Sequence, residues 1–296
     1  MAGSGGTHGT SRTGQPDRSA RRAAFLDAYD RVLQRSAAPL AAIDLTSEFG
    51  TTRVFAGGPA EAPPVLLIHA YQATSAEWLA LAGLLSSDHR LYAIDMMGDA
   101  GHSVPGERAV RTPDDLVDYL DTVLDGLGLS SAELCGHSFG AWIALSYAIS
   151  RLTRVDRLIL LDPTMTFSSL LPTYVLRATP SLTKPSSARR RSLIRWETRK
   201  ADIDPAWLEL TGMAADTFGG LPTVPTRIPK AATVAALTMP ALVIVAGRSR
   251  VHNKGQVTRR AGSRLPHARV EIVQGASHYG LPLTHAGEIA ALIRLP

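Results

Sequence analysis

From Pro64 onward, short apolar runs alternate with segments whose apolar positions recur at helical spacing. The runs are Val65–Ile68, Leu91–Ile94, Ala132–Cys135, Arg157–Leu161, Leu242–Ala246 and Val270–Val273. Mostly apolar and alternating with helical segments, they predict the strands of a parallel sheet covered on both faces. Helices are predicted between and after them, at Ala76–Leu85, Pro113–Leu127, Phe139–Ile149, Gly255–Arg264 and His285–Ile293. Pro113 suits a first helical turn, where its fixed φ costs nothing. Upstream, Arg21–Arg35 carries Phe25, Tyr29 and Val32 on one face of an amphipathic leading helix. Ile43–Leu45 and Thr51–Phe55, closed by Gly57 and Gly58, predict an antiparallel start to the sheet. The fold class is therefore α/β, a mostly parallel, doubly wound sheet with helices on both faces.

One connection breaks the rhythm. About eighty residues separate Leu161 from Leu242, far more than a crossover needs. Prolines 172, 180, 185, 205, 222, 225 and 229 punctuate it, which predicts short helices joined by turns. The domain plan is a core of residues 21–162 and 240–296, a helical lid at 163–239, and a Gly-, Ser- and Thr-rich tail at 1–20 expected to be disordered.

Composition narrows the class. With 45% hydrophobic and 19% charged residues, the chain can bury a large core. The longest apolar stretches, such as Ala241–Ala246, are strand-length, so no spanning helix and no membrane partner are expected. The N-terminus has no apolar signal core and Cys135 is the single cysteine, which points to a cytoplasmic protein. The net charge of +5 is densest from Lys184 to Lys200, a run that holds Arg189, Arg190, Arg191, Arg195 and Arg199. No recognition motif or aromatic platform accompanies the run, so no nucleic-acid partner is expected. It reads as a solvated helix face, with an anionic substrate or carrier protein as the alternative. A homodimer is left open.

The candidate chemistry centres on Gly136-His137-Ser138-Phe139-Gly140. The G-x-S-x-G pattern alone is weak, but here a predicted strand leads in and a predicted helix leads out. A serine at such a turn sits on strained backbone, and glycine two residues to either side removes the clash between strand and helix. Downstream, Val270–Val273 is followed by Gly275 and His278, so a histidine occupies the loop after the last strand.

On these residues the chain resembles the α/β-hydrolase superfamily, in particular its lidded esterase and haloperoxidase-like branch, from about Val54 to the C-terminus. Ile68-His69-Ala70-Tyr71, with the later Glu77-Trp78, is similar to that family's His-Gly-x segment, with Ala70 where glycine is usual. Asp95-Met-Met-Gly98-Asp-Ala-Gly101-His-Ser103 is similar to its Asp-x-x-Gly-x-Gly-x-Ser strand end, with the second glycine displaced by one. The resemblance implies Ser138 as nucleophile, His278 as general base, and the amides of Tyr71 and Phe139 as the oxyanion hole. In most relatives the triad acid follows the penultimate strand, and that alignment puts Arg250 at or near the position. Asp162, at the carboxyl end of the strand after the nucleophile strand, is the replacement acid, as in some haloalkane dehalogenases and lipases. The order Ser138, Asp162, His278 keeps the superfamily's sequence of roles.

His69, Asp95, Asp99, His102 and His137 lack the paired spacing of a metal site, so no metal and no cofactor are expected. Substrate contacts are expected from Trp142, one turn past the nucleophile, and from Phe167 and Leu171 in the lid. The expected function is a serine hydrolase acting on a small-molecule carboxylic ester or thioester. A lyase or perhydrolase on the same fold, or a non-catalytic binding protein, are the alternatives.

Overall fold

The computed structural model describes residues 17–199, 201–220 and 224–295. The tail expected at 1–20 lies outside these residues up to residue 16. Residues 18–20 correct that expectation, because helix α1 (Arg18–Leu33) already includes them. Its first turn closes with Arg21 N donating to Asp17 O at 3.0 Å.

The strands are β1 (Ala41–Ser47), β2 (Gly50–Gly57), β3 (Pro64–Ile68), β4 (Arg90–Ile94), β5 (Val104–Pro105), β6 (Ala132–His137), β7 (Val155–Leu161), β8 (Ala241–Ala246) and β9 (Ala268–Val273). They form one sheet of order β1-β2-β4-β3-β6-β7-β8-β9, with β5 beside β2. β1, β2 and β5 pair antiparallel, and every pairing from β4 to β9 is parallel. The remaining helices are α2 (Leu79–Leu85), preceded by a 3-10 turn at Ser75–Trp78, α3 (Pro113–Gly126), α4 (Phe139–Ser150), α5 (Pro172–Thr183), α6 (Ser187–Glu197), α7 (Pro205–Phe218), α8 (Ala231–Ala235), α9 (Lys254–Arg264), α10 (Gly280–Thr284) and α11 (Ala286–Arg294).

The continuous apolar runs divide between two cores because strand side chains alternate faces. Leu66, Ile68, Leu134, Leu160 and Val243 point to the layer of α3, α4 and α9. Val65, Leu67, Cys135, Ile159 and Ile244 point to the layer of α1, α2 and α11. Helix α3 starts where Pro113 predicts, under a capping box in which Thr112 and Asp115 bond each other's backbone. The long insertion is carried by α5 to α8. It is anchored on the leading helix, where Phe25 and Phe218 meet edge to face with centroids 5.0 Å apart. Among the described residues no helix is long and apolar enough to cross a membrane.

Sheet register positions the polar residues that matter. His137 pairs with Leu161, and Leu161 with Ile244. Residues 138 and 162 are therefore the first to leave the carboxyl edge of adjacent strands, where open α/β sheets assemble their sites.

Candidate active site

Ser138 stands at the turn between β6 and α4 with φ 57° and ψ −113°, a conformation that costs a non-glycine residue roughly 1–3 kcal/mol. The flanking glycines explain how the turn is tolerated. A Cβ on Gly136 would lie 2.3 Å from Gly140 O, and one on Gly140 would lie 2.1 Å from Ile68 O. Strand, turn and helix approach too closely there for any side chain.

His278 follows β9 on a short loop, and its Nε2 lies 2.9 Å from Ser138 Oγ. Its Nδ1 lies 2.6 Å from Asp162 Oδ2. Asp162, at φ 39°, is fully buried. Its Oδ1 accepts the amide of Ala246 at 2.9 Å. The three side chains proposed from sequence thus form one continuous chain of contacts.

A fourth residue joins them that sequence reasoning missed. His252, buried on the loop after β8, places Nε2 2.9 Å from Asp162 Oδ1. Its backbone bridges Leu170, while the neighbouring Val251 accepts the Leu171 amide at 2.8 Å. The insertion therefore holds the His252 loop in place. The only cue in the sequence was its position two residues beyond Arg250. Arg250 itself turns away: its Nη1 donates to Trp196 O at 3.0 Å and its guanidinium covers the Trp196 ring.

These contacts set the charges. Burial would raise the Asp162 carboxyl, but His252 and then His278 override it and hold it well below the ordinary carboxylate range. Burial would lower His252, yet the adjacent Asp162 raises it. For His278 burial wins, and the imidazole is pushed down to about 4 despite Asp162, with His137 and His252 adding to the fall. The donor atoms of Asp162, His252 and His278 lie within 4.8 Å of one another, a spacing a cation could use. Both imidazoles already converge on the one carboxylate.

Two buried acids hold the surrounding loops. Glu197, at the end of α6, accepts the amides of His278 at 2.9 Å, Tyr279 at 3.1 Å and Arg250 at 3.3 Å. Burial raises its carboxyl, against the pull of those amides. Glu77 accepts the Ala70 amide at 2.8 Å and contacts His137 Nδ1 at 2.7 Å, while His137 Nε2 lies 3.1 Å from His278 O. In the sequence Glu77 was marked only by the Glu77-Trp78 pair that follows the Ala70 segment, and Glu197 carried no signal. Met96 N donates to His69 Nε2 at 3.1 Å, which leaves His69 Nδ1 to donate to Ala70 O at 2.7 Å. The Ala70 turn is thus held at both its amide and its carbonyl although the usual glycine is missing. Asp95 is a structural acceptor, taking bonds from Tyr29, Ser75 and the His102 amide.

A cavity of about 150 Å³ opens at Ser138, the size of a pocket that accepts a benzene-sized guest. Tyr71 and Phe139 line it beside Ser138, with Leu170, Tyr174 and Val251 among its other walls. The substrate contacts expected from Trp142, Phe167 and Leu171 are corrected here, since none of the three lines it. Trp142 stacks behind Phe139 with centroids 5.6 Å apart and donates to Arg227 O. Phe167 is fully buried in the core under α3 and α4, and Leu171 caps α5. The basic run is also not uniformly solvated, because Arg190 is only 2% exposed.

A family model described as "Alpha/beta hydrolase family" matches residues 65–292. The carboxylesterase YbfK of Bacillus subtilis (strain 168) is 28% identical over 265 residues, which span 86% of this chain and 87% of that protein. The crystal structure of carboxylesterase CesB (YbfK) from Bacillus subtilis superposes with a TM-score of 0.85 at 24% identity, covering 93% of this chain and 99% of the other. The crystal structure of naproxen esterase (carboxylesterase NP) from the same organism has a TM-score of 0.85 at 22% identity, covering 95% and 99%. At these identities the structural likeness speaks for the fold.

Proposed function

The chain belongs to the alpha/beta hydrolase family, and on that premise we propose that it hydrolyses a carboxylic ester through an acyl-Ser138 intermediate. The observation that carries this reading is the unbroken line Asp162–His278–Ser138 at 2.6 and 2.9 Å, opening on a cavity. The printed names of the relatives, carboxylesterase and naproxen esterase, support the choice of ester.

At neutral pH His278 is unprotonated, because burial holds it near 4, so its Nε2 is free to accept the Ser138 proton. Oγ then attacks the ester carbonyl carbon, forming a tetrahedral intermediate whose oxygen carries the negative charge. The amides of Tyr71 and Phe139 receive that charge. Both residues line the cavity beside Ser138, and each such donor is typically worth roughly 3 kcal/mol. Collapse breaks the bond to the alkoxy group, which leaves as the alcohol with the proton from His278. Water repeats the sequence on the acyl enzyme, giving up a proton to His278, and releases the carboxylic acid. Asp162 fixes the Nδ1–H tautomer and stabilises the transient imidazolium.

The test is covalent labelling by a fluorophosphonate together with turnover of a short-chain nitrophenyl ester. Labelling confined to Ser138, a burst of nitrophenol, and loss of both in Ser138→Ala are expected. A folded parent protein that neither labels nor turns over the ester overturns the proposal.

A further inference from the structure

Arg190 sits on α6, inside the insertion, and lines the same cavity as Ser138. A guanidinium has five N–H groups and cannot shed its charge. Here Nη1 donates to Tyr279 OH and Nη2 to Tyr71 O, both at a long 3.3 Å. Nε is sealed from solvent and bonds nothing. The guanidinium also rests over the Tyr279 ring at 5.2 Å. Among the described residues, three of its five N–H groups thus have no acceptor, and no carboxylate forms an ion pair with it. Asp99 reaches it only through space, and spends one oxygen on the Gln72 amide at 2.9 Å.

A charge this deep is normally matched by a carboxylate, because desolvation costs several kcal/mol per ion. The neighbours do not meet that need. Tyr174 and Tyr279 present hydroxyls 3.1 Å apart, which bond neutral or anionic groups without cancelling charge. The other walls are mostly apolar, with Leu170, Ala178, Leu182 and Leu193 among them and Thr164 and Thr226 as neutral polar members. One cationic fork at a small apolar cavity fits a planar anion, and Arg binds carboxylates in that bidentate geometry.

We propose that Arg190 is the anchor for a carboxylate on the substrate, so that the preferred esters are half-esters of small dicarboxylic acids rather than neutral esters. This inference rests on the hydrolase reading above. Arg190 binds the free carboxylate, the intervening methylenes lie against the aliphatic walls, and the ester carbonyl reaches Ser138.

The test compares monomethyl glutarate with its neutral isostere, in which a carboxamide replaces the free carboxylate, by following methanol release. The parent protein should favour the half-ester in kcat/KM by about 30-fold, the worth of one charge-assisted contact. Arg190→Met should bring that ratio close to one, and Arg190→Lys should keep most of it. A parent ratio of one or less overturns the inference, as does an Arg190→Met variant that loses activity on both esters equally, since a structural pin would lower both alike. A second arm needs no turnover: calorimetry on Ser138→Ala should show at least tenfold tighter binding of the half-ester, on the same contact, and equal binding overturns the anchor. Failure of the hydrolase reading is distinguishable, because it would appear as an absence of fluorophosphonate labelling while the binding arm still reports on Arg190.

Discussion

Replacing His252 with Gln should move the acid limb of the pH profile upward. The substitution keeps a polar side chain at Asp162 Oδ1, which Nε2 approaches to 2.9 Å in the parent, and removes the charge. In the parent, Asp162 raises His252 above its ordinary value, so His252 is protonated over the range in which His278 titrates. A cation beside the base disfavours a second proton on it, and His252 is one of the groups that push His278 down to about 4. The ring nitrogens lie within 4.8 Å of one another. At that separation and an effective dielectric of about 20, two unit charges interact by roughly 3.5 kcal/mol, an upper bound on the contribution of His252 because burial is the larger cause of the fall. With His278 as the proposed base, the limb of kcat/KM should rise from about 4 by about one pH unit in the variant, because burial, the largest cause of the fall, and His137 both remain. His137 also lowers His278, but it is paired with Glu77 and is unchanged by the substitution. The assay is kcat/KM for a neutral ester from about pH 3.5 to 8, within the span where the base titrates, with His278 followed by NMR in parallel. A limb that stays in place, or moves to lower pH, would refute the electrostatic argument.

Asp162→Asn should lower kcat by about 10⁴-fold, as loss of an orienting acid does elsewhere. The Ala246 amide at Oδ1 selects the carbonyl end of the new amide, which turns its NH₂ toward His278 Nδ1 and forces the tautomer that cannot accept the Ser138 proton. A variant within tenfold of the parent would remove Asp162 from the triad. Glu77→Ala leaves the Ala70 amide and His137 without their buried partner, and urea unfolding should show a loss of about 3–5 kcal/mol. A loss under about 1 kcal/mol would mean that water replaces the carboxylate.

The parts of the site that could be read from sequence are those tied to strand ends. Ser138 is legible because a nucleophile turn demands glycine at 136 and 140, and the backbone distances there give the reason. Asp162 is legible because it follows a continuous apolar run, which must be a strand when both faces are covered, and His278 because it follows a short β-branched run, half-covered at the sheet edge. Glu197 and His252 were not legible, and Glu77 and Arg190 stood out only as members of a family segment and of a basic run, without their roles. Their partners depend on the path of the insertion and of the loop after β8, which no periodicity encodes. The substrate wall failed for a related reason. Leu170 lines the cavity while Leu171, the next residue, caps a helix instead, and apolar character alone does not choose between them.

Glu197 has a bearing on protein engineering. The helix that shapes the cavity also moors the backbone of His278 and Tyr279 through this one carboxylate, so the insertion is not an interchangeable module. A chimera that took residues 163–239 from another member of the family would lose the tether of the proposed general base along with the old pocket walls. Inactivity in such a hybrid would report a slack histidine loop, not an unsuitable substrate. Retargeting this scaffold calls for single replacements along the cavity, with α6 left in place.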